Sequence, residues 1–95
     1  MICEFHFQEG FSGETVVITV DGKETARFNA KTRMQLGLAK IEPIKLTSGQ
    51  RVSISLSPSG PKADYHFKPA DKFVKVNLVN QQLEISPVPV SPGYV

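Results

Sequence analysis

The sequence predicts an all-β protein, an antiparallel sandwich of two packed sheets with about seven to eight short strands. Three observations predict this fold class. Apolar and polar residues alternate along several short stretches, turn-forming residues separate these stretches at intervals of about ten residues, and residues 15–28 show a clear hairpin pattern. The alternatives are a small β-barrel, and a sandwich that contains one short helix near residues 32–39.

Length and composition are those of a single small globular domain. The 95 residues carry 11 basic and 9 acidic side chains, and the net charge of +2 is too small and too dispersed to indicate nucleic acid or an anionic membrane. The apolar runs are far shorter than the ~20 residues of a membrane-spanning helix, and the first residues lack the pattern of a signal peptide. One cysteine excludes an internal disulfide, so we expect a cytoplasmic protein. Because the apolar runs are short, we expect no membrane partner.

Alternation of apolar and polar side chains locates the individual strands. It is strictest at residues 51–57, where Val52, Ile54 and Leu56 mark the buried face. Strands are expected at residues 2–8, 15–20, 23–28, 51–57, 63–67, 73–78 and 83–85. Their number and spacing resemble those of immunoglobulin-like and transthyretin-like sandwiches.

The hairpin at residues 15–28 determines which of its side chains share a face. A two-residue turn at Asp21-Gly22 would bring charged residues onto the apolar face. A three-residue loop, Val20-Asp21-Gly22, avoids this, and it is the register that we predict. The predicted pairs are Ile18 with Glu24 and Val16 with Ala26, and the predicted core face is Val16, Ile18, Ala26 and Phe28.

Residues 32–39 fit two kinds of secondary structure. Met34, Leu36 and Leu38 alternate as in a strand, whereas Met34 and Leu38 together with Ala30 would also line one side of a helix. Gly37 weakens a helix interior, and the neighbouring segments are rich in β-strands. We therefore expect a strand here.

The outward face of the hairpin is a candidate contact surface, because it is rich in threonine and has no catalytic group. Its members are Thr15, Val17, Thr19, Thr25 and Arg27. The second candidate is the proline-rich tail at residues 87–95, which follows a domain at residues 1–86. Pro89 and Pro92 have a spacing that proline-recognition domains bind, and Tyr94 adds apolar area that free tails usually avoid. We expect the tail to fold back across a sheet edge or to dock on a second copy.

Two histidines are the candidate metal ligands. His6 follows Glu4 by two residues, and His66 follows Asp64 by two residues, so each pair shares one strand face. If the two strands were neighbours, the four side chains could converge on zinc or a similar ion. The chain has no metal-ligand spacing motif, so this site is an alternative hypothesis, and we predict no cofactor. Cys3, on the opposite face from His6, is expected to be a buried structural thiol.

Catalysis and nucleic-acid binding are weaker alternatives. Ser12, Ser48 and Ser59 lie beside glycines, but none belongs to a nucleophile motif, so we expect no enzymatic activity. Binding of single-stranded nucleic acid would need exposed aromatic side chains and a basic groove. The residues that could supply them are Phe11, Phe73, Lys68, Lys72 and Lys75.

From the sequence, the chain is therefore expected to be a non-enzymatic binding or assembly module. Its partner would be an unknown protein or a second copy of the chain, contacted through edge strands, loops or the tail. A metal-binding protein and a nucleic-acid binder are the competing classes.

Overall fold

The structure, a computed structural model that describes residues 1–57 and 60–93, contains eight β-strands, and these residues form no helix. The strands are β1 (Ile2–Phe7), β2 (Ser12–Val20), β3 (Lys23–Lys31), β4 (Lys40–Lys45), β5 (Arg51–Ser57), β6 (Lys62–His66), β7 (Phe73–Val79) and β8 (Gln82–Val88). The predicted all-β, two-sheet fold is confirmed. A search of the described residues for a helix long and apolar enough to cross a membrane finds none.

The strands form two separate four-stranded sheets, so the barrel alternative does not apply. Sheet A has the order β4-β1-β7-β8, and sheet B has the order β3-β2-β5-β6. All neighbouring strands are antiparallel except β1 and β7, which pair in parallel with Glu4 opposite Phe73. Sequence patterns predict local hairpins, whereas this parallel pair joins the beginning of the chain to its last third.

The core lies between the two sheets and is built from the alternating apolar residues. Phe7 is fully buried, and its ring packs edge to face against Phe11 at 5.8 Å and Phe28 at 5.1 Å between centroids. Burial of a phenylalanine side chain stabilises a fold by about 1.5–3 kcal/mol. Strand β1 is therefore central both in sheet A and in the core.

The turn between β2 and β3 differs from the prediction. Val20 pairs directly with Lys23, so the turn has two residues, Asp21 and Gly22. Both have positive φ, 49° and 83°, as a tight hairpin of this kind requires. The predicted three-residue loop is wrong.

A β-bulge brings the apolar side chains of this hairpin together nevertheless. The pairing shifts between Ile18 and its neighbour Thr19, which leaves Thr25 as the extra residue. Ile18 then faces Ala26, and every predicted pair is wrong by two residues. The predicted core face is present, because Val16, Ile18, Ala26 and Phe28 all belong to the core or pack against it.

Residues 33–38 form a loop rather than the expected strand or the alternative helix. An isolated bridge pairs Arg33 with Leu38, and the Leu36 and Gly37 amides both donate to the Arg33 carbonyl at 3.0 and 2.8 Å. Gly37 has a φ of 65°, which ends the turn. We call this segment the 33–38 loop.

Candidate functional site

The four metal-ligand candidates lie on opposite surfaces of the sandwich. Glu4 and His6 are on the outer face of sheet A, whereas Asp64 and His66 are on β6, at the edge of sheet B. The convergence on one patch that the sequence allowed is therefore wrong. Within residues 1–57 and 60–93, no three His, Cys, Asp or Glu side chains are grouped so that they could hold a metal ion.

His6 is a buried polar residue, which the sequence pattern did not reveal. Its side chain is only 1% exposed, its Nε2 lies 3.0 Å from Oε1 of Glu4, and its ring packs edge to face against Phe73. Alternation placed His6 on the outer face of its sheet and suggested contact with water. The apolar residues Ile41 and Phe73 at outward positions on the two neighbouring strands are the signal that this part of the face is covered.

The predicted contact surface of the hairpin lies on the outer face of sheet B. Residues Thr15, Val17 and Thr19 are there on β2, next to serines of β5, while Arg27 and the bulged Thr25 are exposed on β3. These serines are Ser53, Ser55 and Ser57. Many polar groups on this face bind one another, as Ser53 does when its hydroxyl donates to Asp64 at 2.7 Å. The face is polar and offers little apolar area, and its use as an interface stays a prediction.

The proline-rich tail begins later than predicted, because β8 continues through Pro87 and Val88. A proline is compatible with this position because β8 is an edge strand. Beyond it, Gly93 lines a recess over sheet A together with Lys75 and Asn77. Residues 89–93, including Pro89 and the half-buried Pro92, thus turn back over the outer face of sheet A. The predicted contact residue Tyr94 lies outside the described residues.

The 33–38 loop carries the most exposed apolar side chain in the described part of the chain. Met34 is 96% exposed, and Leu36 beside it is 36% exposed. Open recesses of about 550 and 450 Å³ lie on the two sides of the loop, one lined in part by Met34 and the other by Leu36 and Val79. Alternation of apolar residues predicts a core strand at this position, so the sequence pattern gives no sign of an exposed apolar site.

The single thiol has no reactive surroundings. Cys3 is fully buried, and burial, followed by the charges of Asp71 and Glu4, raises the pKa of its thiol to about 12. Nearby, the Tyr65 hydroxyl donates to Asp71 at 2.5 Å, and burial together with this contact raises the pKa of the phenol. A thiol with so high a pKa is a poor nucleophile, as expected for a structural cysteine.

The aromatic residues considered for nucleic-acid stacking are engaged inside the protein. Phe11 is only 3% exposed and packs on Phe7, while Phe73 is half-buried against His6. Stacking on bases needs an open ring face, which the buried Phe11 lacks and the half-buried Phe73 offers only in part. Of the two rings named for the nucleic-acid alternative, only Phe73 thus keeps access to solvent.

Comparison of the chain with protein-family models, with curated proteins and with solved structures finds no match in any of the three. The resemblance to immunoglobulin-like and transthyretin-like sandwiches is therefore limited to strand number and the two-sheet layout.

Proposed function

We propose that the protein is a non-enzymatic protein-binding module that contacts its partner through the 33–38 loop. The observation that carries this proposal is the exposure of Met34, which is 96% accessible, together with the partly exposed Leu36 of the same loop. Burial of such a side chain is worth about 1.5–3 kcal/mol, and methionine adapts its shape to many surfaces. A partner that covers both side chains would gain this energy.

The main chain at the base of the loop is already fixed. The Thr32 amide donates to the Phe11 carbonyl at 2.8 Å, and the Ala39 amide donates to the Phe7 carbonyl at 2.7 Å. The Arg33 amide closes the loop on Leu38 at 3.0 Å. Binding would therefore order little additional backbone, which favours affinity.

The surroundings of the loop are typical of a small interface with an apolar centre and a polar rim. Val79, 40% exposed, lies across one recess from Leu36. Glu9 and Lys31 line the other recess and supply charges of both signs. Apolar anchors within a polar rim carry most of the binding energy in protein–protein interfaces.

A role other than catalysis is supported by the positions of the groups that could act as acid or base. His6 is buried beside Glu4, and His66 is opposite Arg51 at the exposed edge of sheet B. The buried Cys3 thiol is also compatible with a cytoplasmic setting.

The proposal is tested by affinity capture from native cell extract with three baits. These are the wild-type chain, the double variant Met34→Asp/Leu36→Asp, and the control Gln35→Asp, which adds charge to the same loop without removing apolar area. We expect a protein captured by wild type and control to be lost with the double variant. Sedimentation of the purified chains shows whether that protein is a second copy. Equal capture by all three baits would refute the role of the loop.

A further inference from the structure

Strand β3 offers the longest open edge among the described strands. It has nine residues and pairs with β2 alone. The other three edges are less suitable for pairing, because β4 contains Pro43, β8 contains Pro87 and β6 has only five residues. Every second residue of an edge strand directs its main-chain amide and carbonyl away from the sheet, where they can bind an added strand.

The core side of this edge is incompletely covered. Ala26 and Phe28 pack against the core but are only half-buried. The ammonium group of Lys40, from the neighbouring edge of sheet A, lies 5.2 Å from the centre of the Phe28 ring. An added strand with apolar side chains on this side would extend the core over Phe28.

The outer side of the same segment is basic. Arg27, whose side chain is 53% exposed, and the exposed Lys31 project from it four residues apart, a distance of about 13 Å along a strand. Asn29 lies between them and is also exposed. The segment beyond the bulge has no acidic residue of its own. Glu24, before the bulge, pairs with Arg27 at 2.8 Å, so the carboxylate of an added strand would share or replace this contact.

We propose that β3 binds an extended acidic segment of a partner protein by strand addition along Ala26 to Lys31. The segment would have the pattern acidic–apolar–polar–apolar–acidic. Its two apolar residues would face Phe28 and its neighbours, and its carboxylates would face Arg27 and Lys31. Because this pattern is symmetric, it fits β3 in either strand direction. The site adjoins the 33–38 loop, because Lys31 also lines the recess beside Met34, and it gives the proposed binding module a second contact with a defined chemistry.

The charges that attract an acidic strand disfavour a second copy of β3. Antiparallel pairing of two copies centred on Arg27 would place the two guanidinium groups against each other, and centring on Asn29 would place Arg27 opposite Lys31. The bulge at Thr25 limits regular pairing to the segment that follows it. The edge is therefore selective for strands of opposite charge.

The test is an NMR titration of the full chain with two peptides that differ only in charge. One has the core Glu-Val-Thr-Val-Glu and the other has the core Lys-Val-Thr-Val-Lys. We expect the acidic peptide to bind about tenfold more tightly at low salt. The shifts of main-chain amides should concentrate in residues 26–31, and added salt should weaken binding.

A charge-swapped protein separates strand addition from general attraction. The variant Arg27→Glu/Lys31→Glu should reverse the preference and bind the basic peptide more tightly. The matched charge swap Lys68→Glu/Lys72→Glu, at exposed lysines outside β3, should still prefer the acidic peptide. Equal binding of both peptides to wild type, or shifts outside β3, would overturn the proposal. Equal binding would leave the proposed role of the 33–38 loop unchanged, because neither peptide tests the burial of Met34 and Leu36.

Discussion

At the scale of single residues, Gly10 is the position where the fold least tolerates a side chain. A Cβ atom there would lie 1.9 Å from the carbonyl oxygen of Leu78, and φ is 94°. The carbonyl belongs to β7, and the Leu78 amide of the same strand donates to the Glu9 carbonyl at 2.9 Å. Moving Gly10 away from Leu78 would therefore break this hydrogen bond. The loop between β1 and β2 therefore requires glycine for close approach as well as for conformation.

We predict that Gly10→Ala lowers the free energy of unfolding by more than about 3 kcal/mol. Gly13→Ala is the matched control, because Gly13 also has positive φ, 109°, but has open space around its Cβ position. That variant should lose only about 1–2 kcal/mol, the strain of a positive φ. Urea unfolding measures both values. Similar losses in the two variants would contradict the close-approach explanation.

The Cys3 thiol makes stability depend on alkaline pH. Its pKa rises from an ordinary 9.0 to about 12 in the folded chain. Between these values the unfolded chain has released the proton while the folded chain retains it, so stability falls as pH rises. Below about pH 9 the thiol is protonated in both states and contributes no pH dependence.

We predict that Cys3→Ala loses about 1 kcal/mol of stability near neutral pH, since it removes a buried sulfur atom. From about pH 9 to about pH 11 its stability should fall less steeply than that of wild type. Tyr65 stays in both proteins, and the Cys3 charge also raises the pKa of its phenol, so the difference between the two curves reports the thiol together with its effect on Tyr65. Urea unfolding across this pH range checks the prediction, and parallel curves would show that the thiol does not titrate as described.

At the scale of elements, sequence patterns predict the core face of the β2–β3 hairpin correctly and its turn incorrectly. Asp21-Gly22 indicates a two-residue turn, whereas the apolar pattern requires a register that such a turn cannot give. A longer loop would satisfy both requirements, but the protein keeps the short turn and inserts a bulge at Thr25. The bulge reconciles the geometry of the short turn with the packing of the core, so no single residue type in the strand predicts it.

The 33–38 loop could not be predicted for a related reason. Met34, Leu36 and Leu38 alternate as in a strand with one buried face, yet the backbone turns at Gly37 and leaves Met34 in solvent. The alternating pattern gives the positions of the apolar residues, and a strand is predicted from it only if those residues are taken to be buried. A binding site made of exposed apolar residues violates that assumption.

The end of β8 is a second element that can be tested. Pro87 and Val88 pair with Val74 and Phe73, so a chain that ends at Ser86 loses part of the sheet. A chain that ends at Val88 keeps β8 complete and loses only the segment that turns back over sheet A.

We predict that truncation after Val88 lowers the melting temperature by a few degrees. Truncation after Ser86 should cost about 1–2 kcal/mol more, roughly the burial of one apolar side chain. Thermal unfolding of the two truncated chains and the full chain gives the comparison. Identical melting temperatures for the two truncations would contradict the observed end of β8.

At the scale of the whole molecule, the sequence predicts the layers but not their connections. Alternation identifies strands and their core faces, which is why the two-sheet fold is confirmed. The neighbours of each strand depend on contacts distant in sequence, and the parallel pairing of β1 with β7 is the clearest example. The metal hypothesis failed for this reason, because β1 and β6 belong to different sheets.

The two ends of the sandwich also differ in a way that only the assembled fold reveals. The loop at residues 9–11, the 33–38 loop and the turn after Val79 meet at one end and surround exposed apolar side chains. The opposite end holds Asp21, which accepts hydrogen bonds from Gln50 and Arg51. It also carries Met1 and Ile2, which are 59% and 53% exposed against 96% for Met34. The end with the 33–38 loop is where we place partner binding.

The most direct test of this claim is site-specific photo-crosslinking in cells. A photoreactive amino acid at position 34 should give a discrete crosslinked product that contains a second protein chain, whereas the same probe at Lys68, exposed at the opposite end, should not. The product should disappear when Leu36→Asp is added. Crosslinking of equal yield from positions 34 and 68, or none from position 34, would contradict binding through the 33–38 loop.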